Sequence, residues 1–221
     1  MLLAYKYVAL TVLIAEANFN AERLNLPINR PVVESQLTFT LIAPTNILEM
    51  GGFMGSIHAQ QYAFSEGGGN HYRLVAKLDS FGGLSSAEQN EMLSHEKSLI
   101  TTNQAYQLAT NWLTLIDVNV RELETTNKWE VQQRWYYGNH DEQILLPVFF
   151  IKWGDWNEPK VDVSIDGRTK QFIELMQLDD SFSRRPQELI RDWKGLLAIS
   201  DEEFLKYSPL QRSNRSGGGA E

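Results

Sequence analysis

Four histidines, His58, His71, His95 and His140, are the side chains best suited to acid–base or metal chemistry near neutral pH. None belongs to an HExxH motif or to a pair spaced for zinc, so these scattered residues point to no metal site. The densest local cluster is His140-Asp141-Glu142 in the run GNHDEQ, where a solvated polar turn accounts for all three side chains. Asp179 and Asp180 stand just ahead of Arg184 and Arg185, which suits a surface ion-pair cluster better than a general acid and base. No GxSxG elbow is present, and a triad assembled across the fold leaves no mark in one sequence. Cysteine is absent, which removes disulfides, thiolate nucleophiles and Cys-ligated zinc or iron–sulfur sites. Gly67-Gly68-Gly69 lacks the GxxxxGK[ST] or GxGxxG context of a phosphate cradle and reads as a hairpin loop. No catalytic, cofactor-binding or metal-ligating residue is assigned on these grounds, and no cofactor is implied.

The bulk properties narrow the partners. A formal net charge of −8 disfavours a phosphate-tracking surface, because nucleic-acid affinity comes largely from Lys and Arg neutralising phosphates. No run of about twenty apolar residues occurs, so no segment reads as a membrane span. The 221 residues suffice for one large domain or two small ones. At the N-terminus, Lys6 precedes an apolar run from Tyr7 to Ala15 and then Ala15-Glu16-Ala17, a small-x-small site. This is the pattern of an export leader, residues 1–17, cleaved after Ala17, and it implies a periplasmic or extracellular protein. Alternation does not separate that reading from a buried first strand or helix.

The elements that must position any site follow from periodicity. Residues 18–100 read as short strands and long loops packing on a main sheet, with Pro27, Pro31 and Pro44 each denying a backbone donor. Within them Tyr62–Ser65 and His71–Asp79 flank EGGGN as a hairpin. Ser85 with Glu88 opens a short helix through Leu99. Residues 101–180 form a helix-plus-sheet unit. Ala105, Leu108, Ala109, Trp112, Leu113 and Ile116 make the apolar stripe of its helix, which breaks near Asp117 and restarts at Asn119 with Glu122. Trp129–Tyr136, Leu145–Trp153, Val161–Ile165 and Lys170–Leu178 alternate or run apolar as strands, with Asp166-Gly167 as a two-residue turn of positive φ. Residues 181–212 suggest short helices starting at Pro186 and Ser200, and 213–221 a disordered tail.

The order helix then four strands gives the α+β class, an antiparallel sheet of about four strands packed on one helix. The helix followed by a sheet ending in VDVSIDGRTKQFIEL resembles a PepSY-type unit within the cystatin-like architecture. More closely, RLNLPINRP, AYQLATNWL, LPVFFIKWG and DDSFSRRP resemble a family of exported bacterial proteins of unassigned activity, over Arg23 to Arg215. The PepSY resemblance implies a binding or protease-inhibiting module, and neither resemblance carries over a functional residue. The expectation is a non-catalytic binding or structural module of the cell envelope with a protein or peptide partner. The alternative is an envelope hydrolase with a site assembled across the fold. A sheet with one helix on it has a second face, and the N-terminal hairpin or the C-terminal helices are expected to cover it, with a partner or ligand as the functional alternative.

Overall fold

Each strand expected between Trp129 and Leu178 is present, and an equal number precedes them in the same sheet. A computed structural model describes residues 2–34, 38–42, 54–67, 72–78, 80–81, 83–138 and 141–178. In chain order these contain α1 (Leu2–Arg23), β1 (Thr38–Ile42), β2 (Met54–Ala59), β3 (Tyr62–Gly67), β4 (Tyr72–Lys77), α2 (Ser86–Ser94), α3 (Thr102–Leu115), α4 (Val120–Thr126), β5 (Trp129–Tyr137), β6 (Gln143–Gly154), β7 (Pro159–Asp166) and β8 (Gln171–Gln177). The α+β class holds, but the sheet has eight strands among the described residues, in the order β1-β2-β3-β4-β8-β7-β6-β5. Every neighbouring pair is antiparallel. The N-terminal strands, expected to lie on the main sheet, instead extend it edge to edge through β4 and β8. The expected helices after Pro186 and Ser200, and the tail, lie outside the described residues.

A helix followed by a four-stranded meander therefore occurs twice, and the two meanders meet at their last strands. The helices match in detail. Leu13, Ala17 and Ala21 of α1 and Ala105, Ala109 and Leu113 of α3 are all at most 1 % exposed, and corresponding positions are 92 residues apart. Spacing of four keeps each trio on one helix face, and the alanines let the helix axis approach the sheet. The same separation relates the two C-termini. Asn25 (φ 48°) and Asp117 (φ 63°) take the left-handed conformation. The following N–H groups, of Leu26 and Val118, donate to the carbonyls of Ala21 and Leu113, both 2.9 Å. This is one Schellman closure used twice, with the apolar residue after each left-handed position buried. Arg23 and Asp117 lie 3.8 Å apart.

Strand alternation explains how both helices serve one core. In register, Val131, Ile151, Val163, Leu175, Val75, Phe64 and Ile57 form a row across seven strands, and α1 and α3 both pack on that side. Trp112 lies on the stripe of α3 and meets Phe172 edge to face at 5.6 Å. Part of the opposite side is covered by α2, whose Leu93 packs with Leu146 and Val148 of β6. Ser85 and Glu88 form a reciprocal capping box, and Asn119 caps α4 by accepting from the Glu122 N–H. Among the described residues no helix is long and apolar enough to cross a membrane.

One turn departs from expectation. Asp166-Gly167 is not a two-residue turn of positive φ, because β8 starts only at Gln171 and the left-handed residue is Lys170 (φ 59°). Asp166 holds this longer loop: its Oδ1 accepts the Arg168 N–H at 2.9 Å, and its carboxylate also takes the Arg168 guanidinium. Gly167 is required for a different reason, which is space. A β-carbon there would sit 2.6 Å from Ser98 Oγ, 2.8 Å from Phe149 Cε2 and 3.1 Å from the Pro147 carbonyl. Backbone bonds fix this approach, with the Gly167 N–H donating to Pro147 O and the Gly167 carbonyl accepting from the Leu99 N–H.

Candidate binding site

Among the described residues, a group of buried charges comes from the middle of strands. Lys152 of β6 is paired in register with Glu130 of β5 on one side and Asp162 of β7 on the other, so all three point away from α3. Lys152 Nζ lies 3.4 Å from Asp162 Oδ2, and both side chains are under one-fifth exposed. Burial raises the Asp162 carboxyl above its ordinary range, against the opposing pull of the Lys152 charge. Its Oδ1 is buried without a hydrogen-bond partner among the described residues. Glu174 of β8 is raised too, first by burial and then by the charge of Asp162.

Lys152 also forms one wall of a pocket of about 570 Å³ at the end of the sheet, between the start of β5, the end of β6 and the close of α4. Gly154 shapes it: at φ 106° the chain leaves β6 sharply, its N–H donates to Lys128 O at 2.8 Å, and a β-carbon would come within 3.0 Å of the Lys160 nitrogen. The segment after Gly154 folds back, with Asp155 Oδ1 accepting from the Asn157 N–H at 2.9 Å. This returns Trp156 over the sheet, where Lys152 Nζ lies 4.3 Å from the centre of its ring and donates to its carbonyl at 3.2 Å.

A second tryptophan, Trp129, lies on the opposite side of the β5 edge. Its ring stacks on Tyr106 of α3, with centroids 4.4 Å apart and planes within 25°. Tyr106 is held in turn by the tilted ring of Trp153, its centroid 6.3 Å away, and by a hydrogen bond from its hydroxyl to Glu124. Burial and the Glu124 carboxylate push the Tyr106 hydroxyl up to about 12, so it stays a donor across the working range of pH. Trp129 nevertheless remains 47 % exposed. Trp129 therefore stands at the edge of the pocket, its indole braced on the α3 side of the sheet while Glu130, Lys152 and Trp156 lie on the other side.

Asp141 (φ 58°) and Glu142 are exposed, the backbone of Glu142 closes the turn by accepting from the Gly138 N–H, and His140 lies outside the described residues. His58 is exposed on β2, His95 is exposed and faces Glu91 one turn earlier at 3.3 Å, and His71 lies outside the described residues. Asp179, Asp180, Arg184, Arg185, Gly68 and Gly69 are likewise outside them. Among the described residues no three His, Asp or Glu side chains are grouped to hold a metal ion. Sequence reading missed Lys152, Asp162 and Glu174, although Asp162 stands out as a charge on the alternating pattern of VDVSID, and a Lys inside LPVFFIKWG demands a partner. Comparisons with protein-family models, with curated proteins and with solved structures find no match to this chain.

Proposed function

We propose that the chain is a non-catalytic binding module that takes its ligand in the pocket beside Trp129. The observation that carries this reading is the braced, half-exposed indole at the edge of a concavity whose volume lies within the usual range for small-ligand sites, roughly 300–1,000 Å³. An aromatic ring of this size left half in water is a standing source of binding free energy, and bracing removes the cost of ordering it on binding. The test is capture of material from the native host's envelope fraction on immobilised wild-type protein and on Trp129→Ala. Retention of a defined species by the wild type and its loss from the variant is the expected result. Equal retention by both proteins would move the binding surface elsewhere.

A second reading, hydrolysis, is favoured by the raised carboxyls of Asp162 and Glu174. The raised carboxyl of Glu174 has one consequence under either reading, that its ionisation costs stability. A carboxyl raised in the folded state binds its proton more tightly there than in the unfolded chain, so stability falls as pH rises through the window from its unfolded value, 4.5, to the folded one. Glu174→Gln is therefore expected to melt at a higher temperature than wild type at pH 7, with the difference disappearing near pH 4. Thermal unfolding at the two pH values checks this, and a variant no more stable at pH 7 would show that the carboxylate is compensated in the fold.

A further inference from the structure

We propose that β5 is the seam of a symmetric homodimer, in which the strand pairs antiparallel with its own copy about Gln132 and sets Glu130 opposite Arg134 of the partner subunit. This goes beyond the ligand reading and holds whatever the pocket binds. β5 ends the sheet: among the described residues no strand pairs with its outer side. It is nine residues long, and Trp129, Trp135 and Tyr137 along it are 47 %, 46 % and 64 % exposed. A long edge of this kind offers unpaired N–H and C=O groups to another strand. The residue pattern selects the occupant. A two-fold axis through Gln132 runs the two strands antiparallel and pairs residues equally far on either side of it. On the Lys152 side of the sheet Glu130 then meets Arg134 at both ends of the axis, and on the α3 side Trp129 meets Trp135. The irregular register between Gln133 and Trp135 falls on β6, which runs from Phe149 to Leu145 over that stretch, so the alternation of β5 is continuous. Moving the axis by one residue, to Val131 or Gln133, sets Glu130 against Gln132 or Tyr136 and leaves it without a counter-charge. Charges on an edge strand ordinarily oppose pairing, whereas here each is neutralised by the other across the seam. Existing contacts leave room for the pair: Asn90 Oδ1 takes Nη2 of Arg134 at 2.8 Å, and the Gln132 amide takes Oε1 of Glu130 at 2.8 Å. The molecule already contains one such joint, β4 with β8, an antiparallel pairing that joins two helix-and-meander halves with α1 and α3 on one side.

The test is sedimentation velocity of the full chain over a concentration series, for wild type, Glu130→Arg, Arg134→Glu and the variant carrying both changes. Wild type is expected to dimerise. Each single reversal sets like charges opposite each other at both ends of the axis and should raise the dimer dissociation constant about tenfold; the double variant, with the net charge of wild type, should return to within about threefold of it. A second measurement leaves these charges in place. The chain has no Cys, so Gln132→Cys carries a single thiol. Directly opposed residues of an antiparallel pair lie about 4.5–5.5 Å apart at Cα, within disulfide reach. Oxidation should link Gln132→Cys into covalent dimers and leave Tyr137→Cys, far from the axis on the same exposed strand, largely unlinked. Monomers throughout the series overturn the proposal and leave the edge to a different protein or to the protein's own chain. Dimers indifferent to both reversals, a double variant as weak as the single ones, or equal cross-linking of the two Cys variants overturns it as well.

Discussion

A chain that begins at Asn18 is expected to lose the cooperative unfolding transition of the full-length protein. The reason is the position of α1, which packs on β2 and β3 with Leu13 and Ala17 fully buried. Deleting Met1 to Ala17 removes those residues and uncovers Ile57 and Phe64, both at most 1 % exposed in the intact fold. Burying a Leu, an Ile and a Phe contributes roughly 1.5–3 kcal/mol each, a sum comparable with the roughly 5–15 kcal/mol that holds a typical domain folded. Circular dichroism on heating the two chains checks this, and equal melting temperatures would show that the first seventeen residues stand outside the core. The same residues bear the leader pattern, so the two readings make opposite demands on Leu13. Intact mass of the protein from its native host separates them: a species starting at Asn18 supports export with cleavage, and a species retaining Leu13 supports α1 as part of the mature fold.

The second large effect belongs to Phe149. Its ring is 1 % exposed on the core face of β6, opposite Ile165 in register, and it fills the space that Gly167 leaves by having no side chain. Phe149→Ala is expected to cost about 3–5 kcal/mol, the lost transfer free energy of the ring plus the cavity left behind. Urea unfolding should show a lower midpoint with little change in slope, since the surface exposed on unfolding is nearly the same. A cost under about 1 kcal/mol would mean that the site collapses without a cavity, against the dense packing drawn here.

Much of the local structure could be read without coordinates. The stripe Ala105, Ala109, Leu113 states a helix with one buried face, and Asn119 with Glu122 states its restart, because capping and periodicity involve residues three or four apart. The alternation in β5, β7 and the β3–β4 hairpin was legible for the same reason. The candidate site was not. Lys152, Asp162 and Glu174 lie on three successive strands, and which charge partners which shows only once the registers place them on one side of the sheet. Asp166-Gly167 reads locally as a two-residue turn, but the demand on Gly167 comes from Phe149, Pro147 and Ser98, none of which a turn rule consults.

What the sequence determined by itself is thus the set of pieces: where helices start and stop, which strand residues share a face, and that no Cys chemistry is possible. The tertiary structure decided how the pieces join. An apolar run as short as Tyr7–Ala15 satisfies a leader, a strand or a helix equally, and only packing against β2 and β3 makes α1 the counterpart of α3. Likewise no local signal chooses β8 as the neighbour of β4, a pairing that joins residues about a hundred positions apart, Val75 with Leu175. Side-chain chemistry acts over a few ångströms, so it speaks directly about neighbours in sequence. It speaks about distant residues only after burial of the shared apolar row has brought them within that range.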